Sequence, residues 1–472
     1  MPRKNKKIEF HKIEITDAGA KGKCVAKAPD GKIIFINNVV PGDVVDVQTF
    51  KKRKKFYEAS VTNIHRFSDH RIEPSCEYFG SCGGCKWQNM EYSKQLFYKE
   101  KEVKNNLEKI GKIKVKELLP IKGAKKKYFY RNKMEFSFSN NRWLSYDEIQ
   151  SQQQIKERNA LGFHIPGMWD KILDINKCWL QEDPSNEIRN KIKEFATKNN
   201  IPFFDPKKQK GVLRTLMIRI SNIGQTMVIV QFYSATKRQI NDILNFIKTS
   251  FPKVNSLQYV INSKSNDTIY DQDVICFYGN DYIQEEMEGL KFRINAKSFY
   301  QTNSDQAYEL YKIVRDFANL GGSELVYDLY TGTGTIAQFI SKKAKKVIGV
   351  ESVEDAIVAA KQNATINKIK NVEFFVGDMK SIFNNDFIKK NGTPEVIITD
   401  PPRDGMHKDV IKQILKIVPE KIVYVSCNSA TQARDLEILS SKYKIIKSQA
   451  IDMFPQTHHV ENVVLLKKLK QI

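Results

Sequence analysis

Three stretches of the chain carry three different rhythms of hydrophobic and polar residues. From residue 8 to about 66, alternating runs such as Ile13 and Ile15, Lys32 to Ile36 and Val44 to Phe50 are separated by the turn sequences Pro29-Asp30-Gly31 and Pro41-Gly42-Asp43. Period-two alternation broken by Gly and Pro predicts short strands, which so small a unit closes into an OB-like β-barrel. From about 93 to 110, Leu96, Phe97, Val103, Leu107 and Ile110 recur among charges, the pattern of one amphipathic helix. Residues 120 to 285 mix strand-like runs (Lys133 to Ser139, Leu213 to Ser221, Thr226 to Tyr233) with one helix near 237 to 249, and show no internal repeat.

From about 286 the rhythm becomes a regular alternation of strand and helix. The strands are expected at Leu325 to Leu329, Lys346 to Val350, Val372 to Val376, Val396 to Thr399, Ile422 to Val425 and, at the end, Val463 to Leu466. Strand–helix alternation implies right-handed crossovers and a mostly parallel, doubly wound sheet covered on both faces. The expected organisation is a barrel over 1–68, an α+β central unit over 69–285 and an α/β unit over 286–472.

Length agrees with this, since 472 residues exceed a typical single domain about threefold. Charge adds a partner: 77 Lys and Arg against 54 Asp and Glu leave +23, spread along the chain, which suits a polyanion. A merely solvated, lysine-rich surface is the competing account. The run Lys51-Lys52-Arg53-Lys54-Lys55, followed by Phe56 and Tyr57, joins positive charge to rings that can stack on flexible nucleic acid. No stretch approaches the roughly 18 apolar residues that span a bilayer. The start, Met1-Pro-Arg-Lys-Asn-Lys-Lys7, is basic without a following apolar run, so no secretory signal and a cytoplasmic location are expected.

In a doubly wound sheet, ligands bind beyond the carboxyl ends of the strands, and the unusual residues fall there. The first strand ends in Asp328-Leu-Tyr-Thr-Gly-Thr-Gly-Thr335, a small-residue turn before a helix beginning near Ile336; the second ends in Glu351, placed to accept ribose hydroxyls; the third ends in Gly377-Asp378, placed to bond an adenine amino group. A dinucleotide-binding enzyme shares the first two features. Its fingerprint, however, needs three glycines around a pyrophosphate, and here Thr335 stands at the helix-entry position. That favours S-adenosylmethionine, which has no pyrophosphate.

The fourth strand ends in Asp400-Pro401-Pro402-Arg403 and the fifth in Ser426-Cys427-Asn428. Paired prolines rigidify a loop that must hold a planar base, and a thiol at a strand end faces ligand. Cys24 and Cys276, by contrast, are expected to be small core residues. A methyl transfer to carbon 5 of uracil needs such a thiol: addition to carbon 6 generates an enolate whose carbon 5 attacks the sulfonium methyl. A general base must then remove the original hydrogen. Glu461, within His458-His459-Val460-Glu461, is the candidate, with an exposed surface glutamate as the alternative.

Seven cysteines, an odd count, argue for metal or catalytic use over disulfides. Cys76-x5-Cys82-x2-Cys85 lies on a glycine-rich loop that could wrap a metal, with Cys178 able to add a fourth thiolate. Four thiolates suit zinc or a [4Fe-4S] cluster, and the spacing does not choose.

Cys76-x5-Cys82-Gly-Gly-Cys85, Asp400-Pro-Pro-Arg, Ser426-Cys-Asn and His459-Val-Glu461 together resemble the bacterial RNA uracil-5-methyltransferases that carry a TRAM domain and an iron–sulfur cluster. The likeness covers nearly the whole chain, with the barrel similar to TRAM, Tyr130-Arg-Asn-Lys-Met-Glu-Phe similar to the central domain and Ser298-Phe-Tyr-Gln-Thr-Asn303 to the entry of the catalytic domain. The resemblance implies a class I methyltransferase fold, a [4Fe-4S] cluster on Cys76, Cys82, Cys85 and Cys178, a nucleophile at Cys427 and a base at Glu461. It places Gln301, Tyr330, Glu351, Asp378 and Asp400 around donor and base. Thr335, where the family commonly has Asn, and Ser429, where it has Pro, depart from the pattern. The substrate it implies is 23S ribosomal RNA, bound by a monomer; the T-loop uridine of transfer RNA is the alternative, and an RNA-binding protein without turnover a further one. Methylation of cytosine or of an exocyclic amine is disfavoured, because the amine-methylating enzymes use Asn-Pro-Pro-aromatic where this chain has Asp400-Pro-Pro-Arg.

Overall fold

The computed structural model describes residues 7–151, 155 and 157–470. Most of the basic start read above, Met1 to Lys6, therefore lies outside the described residues.

Glu9–Ala18, Cys24–Lys27, Ile33–Ile36, Phe56–Arg66 and Val44–Lys52 pair in that order as a closed barrel, as the alternation predicts. Ile15, Ile34, Ile36, Val45 and Val47 point inward. Two expectations about side chains fail. Tyr57 is not a free stacking ring: it lies in the barrel core, 3% exposed, with its hydroxyl on Asp30 at 2.8 Å, because it falls on the inward parity of its strand. Lys51, too, is drawn into an ion pair with Glu58 at 2.7 Å. Trp87, fully buried, packs into the same barrel core and donates its indole N–H to the Gly22 carbonyl.

The central unit is a seven-stranded sheet ordered Ile275–Gly279, Val254–Ile261, Thr226–Phe232, Leu213–Ile220, Lys133–Ser139, Ala160–Ile165, Met168–Asp174. Helices Ser185–Lys198 and Lys237–Ser250 cover one face, where Ile188, Ile192, Ile243 and Leu244 meet Phe136, Ile218, Val228 and Val230. A hairpin, Tyr282–Met287 with Leu290–Asn295, leads out of it. Cys276 is exposed on an edge strand of this sheet, not in the core as expected; Cys24 is in the barrel core.

The last unit is an eight-stranded sheet ordered Val372–Val376, Lys346–Glu351, Leu325–Leu329, Val396–Thr399, Lys421–Ser426, Glu461–Lys468, Tyr443–Ile451, Glu117–Lys122. The first five are parallel, and Glu461–Lys468 returns antiparallel beside Lys421–Ser426. Its edge strand, Glu117–Lys122, comes from the segment assigned by sequence to the central unit, and helix Tyr92–Lys109 packs with it against this sheet. Pro120 sits in that edge strand, where a missing N–H costs no ladder bond. No described helix is long and apolar enough to cross a membrane.

Candidate active site

Every residue expected around the donor and the base, except Gln301, lies at or just beyond the carboxyl end of a strand of the eight-stranded sheet. Strand pairing explains the closest approach. Ser426 opposes Asn462 in the antiparallel ladder, so Cys427 and Glu461, one residue further on each strand, come out side by side at the sheet end. Asp400 follows Thr399 on the neighbouring parallel strand.

Burial of this corner sets its electrostatics. Glu461 is 6% exposed, which rules out the surface glutamate weighed from sequence. Its carboxyl is held well above the usual range by burial and by the charge of Asp400, against a lowering influence from Arg403. Asp400 is raised as well, by burial and by Asp328. The Cys427 thiol is pushed up to about 11 by burial first, then by Glu461 and Asp400, while Arg403 pulls it down. Cys427, Glu461 and Asp400 therefore titrate interdependently in a buried corner, the setting that lifts carboxyl groups toward neutrality.

The glycine turn is built for close approach. Gly334 adopts φ +73, and a Cβ there would meet the Phe374 ring at 2.6 Å. Tyr330 adopts φ +65, a strained conformation for a bulky residue. Its half-buried hydroxyl is raised to about 12 by burial. Glu351 fastens the turn: one carboxylate oxygen accepts the Gly332 N–H at 3.2 Å, the other accepts the N–H groups of Ser352 and Val353. Asp378 is exposed and caps the following turn of helix by accepting the Lys380 N–H at 2.8 Å. Thr335 opens the helix Thr335–Ile340, buried, with its hydroxyl 3.3 Å from that of Thr333.

Gln301 lies in the segment that follows the hairpin. Its carbonyl accepts the Asn132 side-chain amide at 2.9 Å, Asn132 N–H donates to the Thr302 carbonyl at 2.8 Å, and Asn303 caps helix Ser304–Ala318. The Tyr130-Arg-Asn-Lys motif of the central sheet therefore holds the Gln301 segment in place.

Sequence reasoning passed over two buried groups here. Asp328, 1% exposed, accepts the Thr331 hydroxyl at 2.5 Å and the Ala337 N–H at 3.1 Å, yet one of its oxygens has no partner among the described residues. Burial lifts it to about 7. The Thr399 hydroxyl, on the adjacent strand, is likewise buried without a partner. Asp328 opened a motif already noticed; Thr399 gave no signal. The histidines of His458-His459 lie 4.1 Å apart, ring centroid to ring centroid, and burial depresses them to about 3 and about 4.

The four expected metal-ligand cysteines come together elsewhere. Cys76, Cys82, Cys85 and Cys178 all line one cavity of about 590 Å³ between the cysteine loop and the central sheet, together with Arg131, Lys133 and Thr302. Burial raises each thiol, Cys82 to about 11 and Cys85 to about 12; neighbouring thiols add to the rise at Cys82, Cys85 and Cys178, and Glu77 adds to it at Cys76. Among the described residues, no three His, Cys, Asp or Glu side chains converge tightly enough for a single metal ion.

A parallel sheet with a small-residue turn and carboxylates at its strand ends is the class I methyltransferase architecture. Comparison with known proteins makes the class specific. Residues 220–469 match the family described as tRNA (Uracil-5-)-methyltransferase, and residues 10–62 match the TRAM domain. A Bacteroides thetaiotaomicron protein named "Uncharacterized RNA methyltransferase" is 54% identical over 95% of this chain and 99% of its own length; one of the same name from Porphyromonas gingivalis is 50% identical over 96% and 99%. The crystal structure of Pyrococcus abyssi tRNA (uracil-54, C5)-methyltransferase in complex with S-adenosyl-L-homocysteine superposes with a TM-score of 0.75 at 27% identity, covering 96% of this chain and 100% of that one. The chain belongs to the S-adenosylmethionine-dependent RNA uracil-5-methyltransferase family.

Proposed function

We propose that the protein methylates carbon 5 of a specific uridine in 23S ribosomal RNA through a covalent adduct at Cys427. The observation that carries this reading is the register that sets Cys427 beside the buried Glu461, with Asp400 across from them. In the scheme, the target uridine is flipped out of its stack into this corner. The Cys427 thiolate bonds to carbon 6, and the electron pair of the carbon 5–carbon 6 double bond moves toward oxygen 4. Carbon 5 then takes the methyl group as the sulfonium carbon–sulfur bond breaks and its pair stays on sulfur. Glu461 removes the remaining hydrogen from carbon 5, the carbon 6–sulfur bond breaks, and the ring double bond is restored. Arg403 favours the thiolate; the raised Glu461 carboxyl is matched to proton removal near neutral pH.

Gln301, Tyr330, Glu351, Asp378 and Asp400 are assigned to the donor and the base. The orphaned, buried oxygens of Asp328 and Thr399 fit a bound polar co-substrate, since leaving each unpaired costs about 1–3 kcal/mol. The four thiols lining one cavity suit the donor set of a [4Fe-4S] cluster on Cys76, Cys82, Cys85 and Cys178. Such a cluster would brace the cysteine loop to the central unit through Cys178; the methylation scheme needs no electron transfer to or from it. The protein acts as a monomer in the cytoplasm. Large-subunit RNA is assigned on the sequence resemblance alone, the barrel together with this cysteine set. The T-loop uridine of transfer RNA is the second reading, favoured by the name of the Pyrococcus neighbour.

The test is to incubate the protein and donor with 5-fluorouridine-substituted 23S RNA or tRNA. Fluorine is not removed by a base, so the adduct persists. Wild type is expected to be trapped on 23S RNA and Cys427→Ala not. Equal trapping of the two overturns the nucleophile, and trapping on tRNA alone reassigns the substrate.

A further inference from the structure

Residues 452–460 connect strand Tyr443–Ile451 to Glu461, and they are gripped from several sides. The Lys99 ammonium reaches the Asp452 carboxylate at 2.6 Å and the Phe454 carbonyl at 3.1 Å; the Asn303 amide reaches the Met453 carbonyl at 2.9 Å; the Tyr130 hydroxyl reaches the Pro455 carbonyl at 2.9 Å. Gln456 is the centre of this grip. Its carbonyl accepts the N–H groups of Lys86 and Trp87, at 2.8 and 3.0 Å, the two residues that follow Cys85. Its N–H donates to the Gln95 side-chain oxygen and its side-chain oxygen accepts from the Gln95 amide, both at 2.9 Å. Both glutamines are buried.

Gln456 holds this place at a cost. Its φ is +68, a left-handed conformation that disfavours a residue with a side chain by about 1–2 kcal/mol and that glycine adopts freely. Glycine would keep the backbone N–H bond to Gln95 but lose the side-chain oxygen that accepts from the Gln95 amide. The strain is therefore retained together with the one contact that only a long amide makes here. Cys427 has supports of its own: the side chains of Asn428 and Thr431 both donate to the Arg403 carbonyl at 3.0 Å.

We propose that Gln456 is a positioning residue for Glu461, tying the base-bearing segment to the end of the cysteine loop and to helix Tyr92–Lys109, and that it is needed for proton removal from carbon 5 but not for adduct formation. The inference rests on the Glu461 assignment above. A displaced base leaves the methylated adduct intact and slows only its breakdown.

The experiment uses full-length protein, donor and 23S RNA tritiated at carbon 5 of uridine, following the covalent complex on denaturing gels and the tritium released to water. Gln456→Gly removes the side chain while suiting the backbone; Gln95→Leu breaks the same pair from the helix side, and its thermal midpoint reports folding. For either variant, adduct formation is expected within about twofold of wild type and tritium release to slow by about tenfold to a hundredfold, the scale of a small misplacement of a reacting group. The methylated complex should persist on ordinary RNA. Wild-type release by the folded variants, or loss of both steps by the same factor, overturns the proposal while leaving Glu461 as base. Wild-type methylation with no adduct removes both.

Discussion

Two groups of thiols occupy this molecule, and their neighbours differ. Cys427 is a single thiol whose nearest ionisable groups are the carboxylates of Glu461 and Asp400 and the guanidinium of Arg403. Cys76, Cys82, Cys85 and Cys178 are raised chiefly by burial; neighbouring thiols add to this at Cys82, Cys85 and Cys178, and Glu77 at Cys76. Burial alone pushes both groups the same way, so a raised thiol pKa does not separate chemistry from ligation. What separates them is company: Cys427 stands alone among acid–base groups, whereas the other four thiols line one cavity together.

The sharpest way to break that contrast is to remove one thiol from each group. Cys427→Ser should fold as wild type and lose turnover by roughly 10⁴-fold or more, the scale of deleting a nucleophile, in a methyl-transfer assay. Cys82→Ser should instead lose iron and acid-labile sulfide in metal analysis while still forming the adduct with 5-fluorouridine RNA. Stoichiometric zinc without sulfide in the wild type would collapse the distinction as drawn here.

The next effect concerns the scaffold between the two sites. Lys99 and Asp452 are both fully buried and paired at 2.6 Å, with Tyr92 on the other carboxylate oxygen. Lys99→Met strands a buried carboxylate, and destabilisation of about 3–5 kcal/mol is expected in urea unfolding. A paired Lys99→Met, Asp452→Leu variant should recover much of that loss.

The smallest effect is on pH. His458 and His459 titrate near 6.5 when unfolded but are held to about 3 and about 4 in the fold by burial. The unfolded chain therefore binds more protons between pH 6.5 and 4, so their contribution is present above pH 6.5 and is lost as pH falls. The thermal midpoint should decline over that window, and less steeply in a His458→Gln, His459→Asn variant.

Much of the catalytic unit was legible because periodicity and punctuation coincide there. Leu325–Leu329, Val372–Val376 and Val396–Thr399 are apolar runs closed by Gly, Pro or carboxylate, and the observed strands have those bounds. The central sheet was less legible: Ala160–Ile165, Met168–Asp174 and helix Ser185–Lys198 are short or mixed in pattern, and their burial is decided by partners far along the chain. Strand Tyr443–Ile451, whose burial is irregular along its length, was missed for the same reason. Tyr57 shows the limit in a single residue, since a ring beside five basic residues reads as exposed until the parity of its strand is known.

The sequence by itself determined the local facts: which runs become strands, where turns expose carboxylates and a thiol, and how much positive charge the surface carries. Only the tertiary structure decided which of these meet. Cys427 and Glu461 become neighbours because an antiparallel strand returns beside a parallel one in a particular register, and Gln456 meets Gln95 and the end of the cysteine loop because helix Tyr92–Lys109 packs on the same sheet. Pairing across hundreds of residues depends on the summed burial of whole surfaces, which no local pattern encodes.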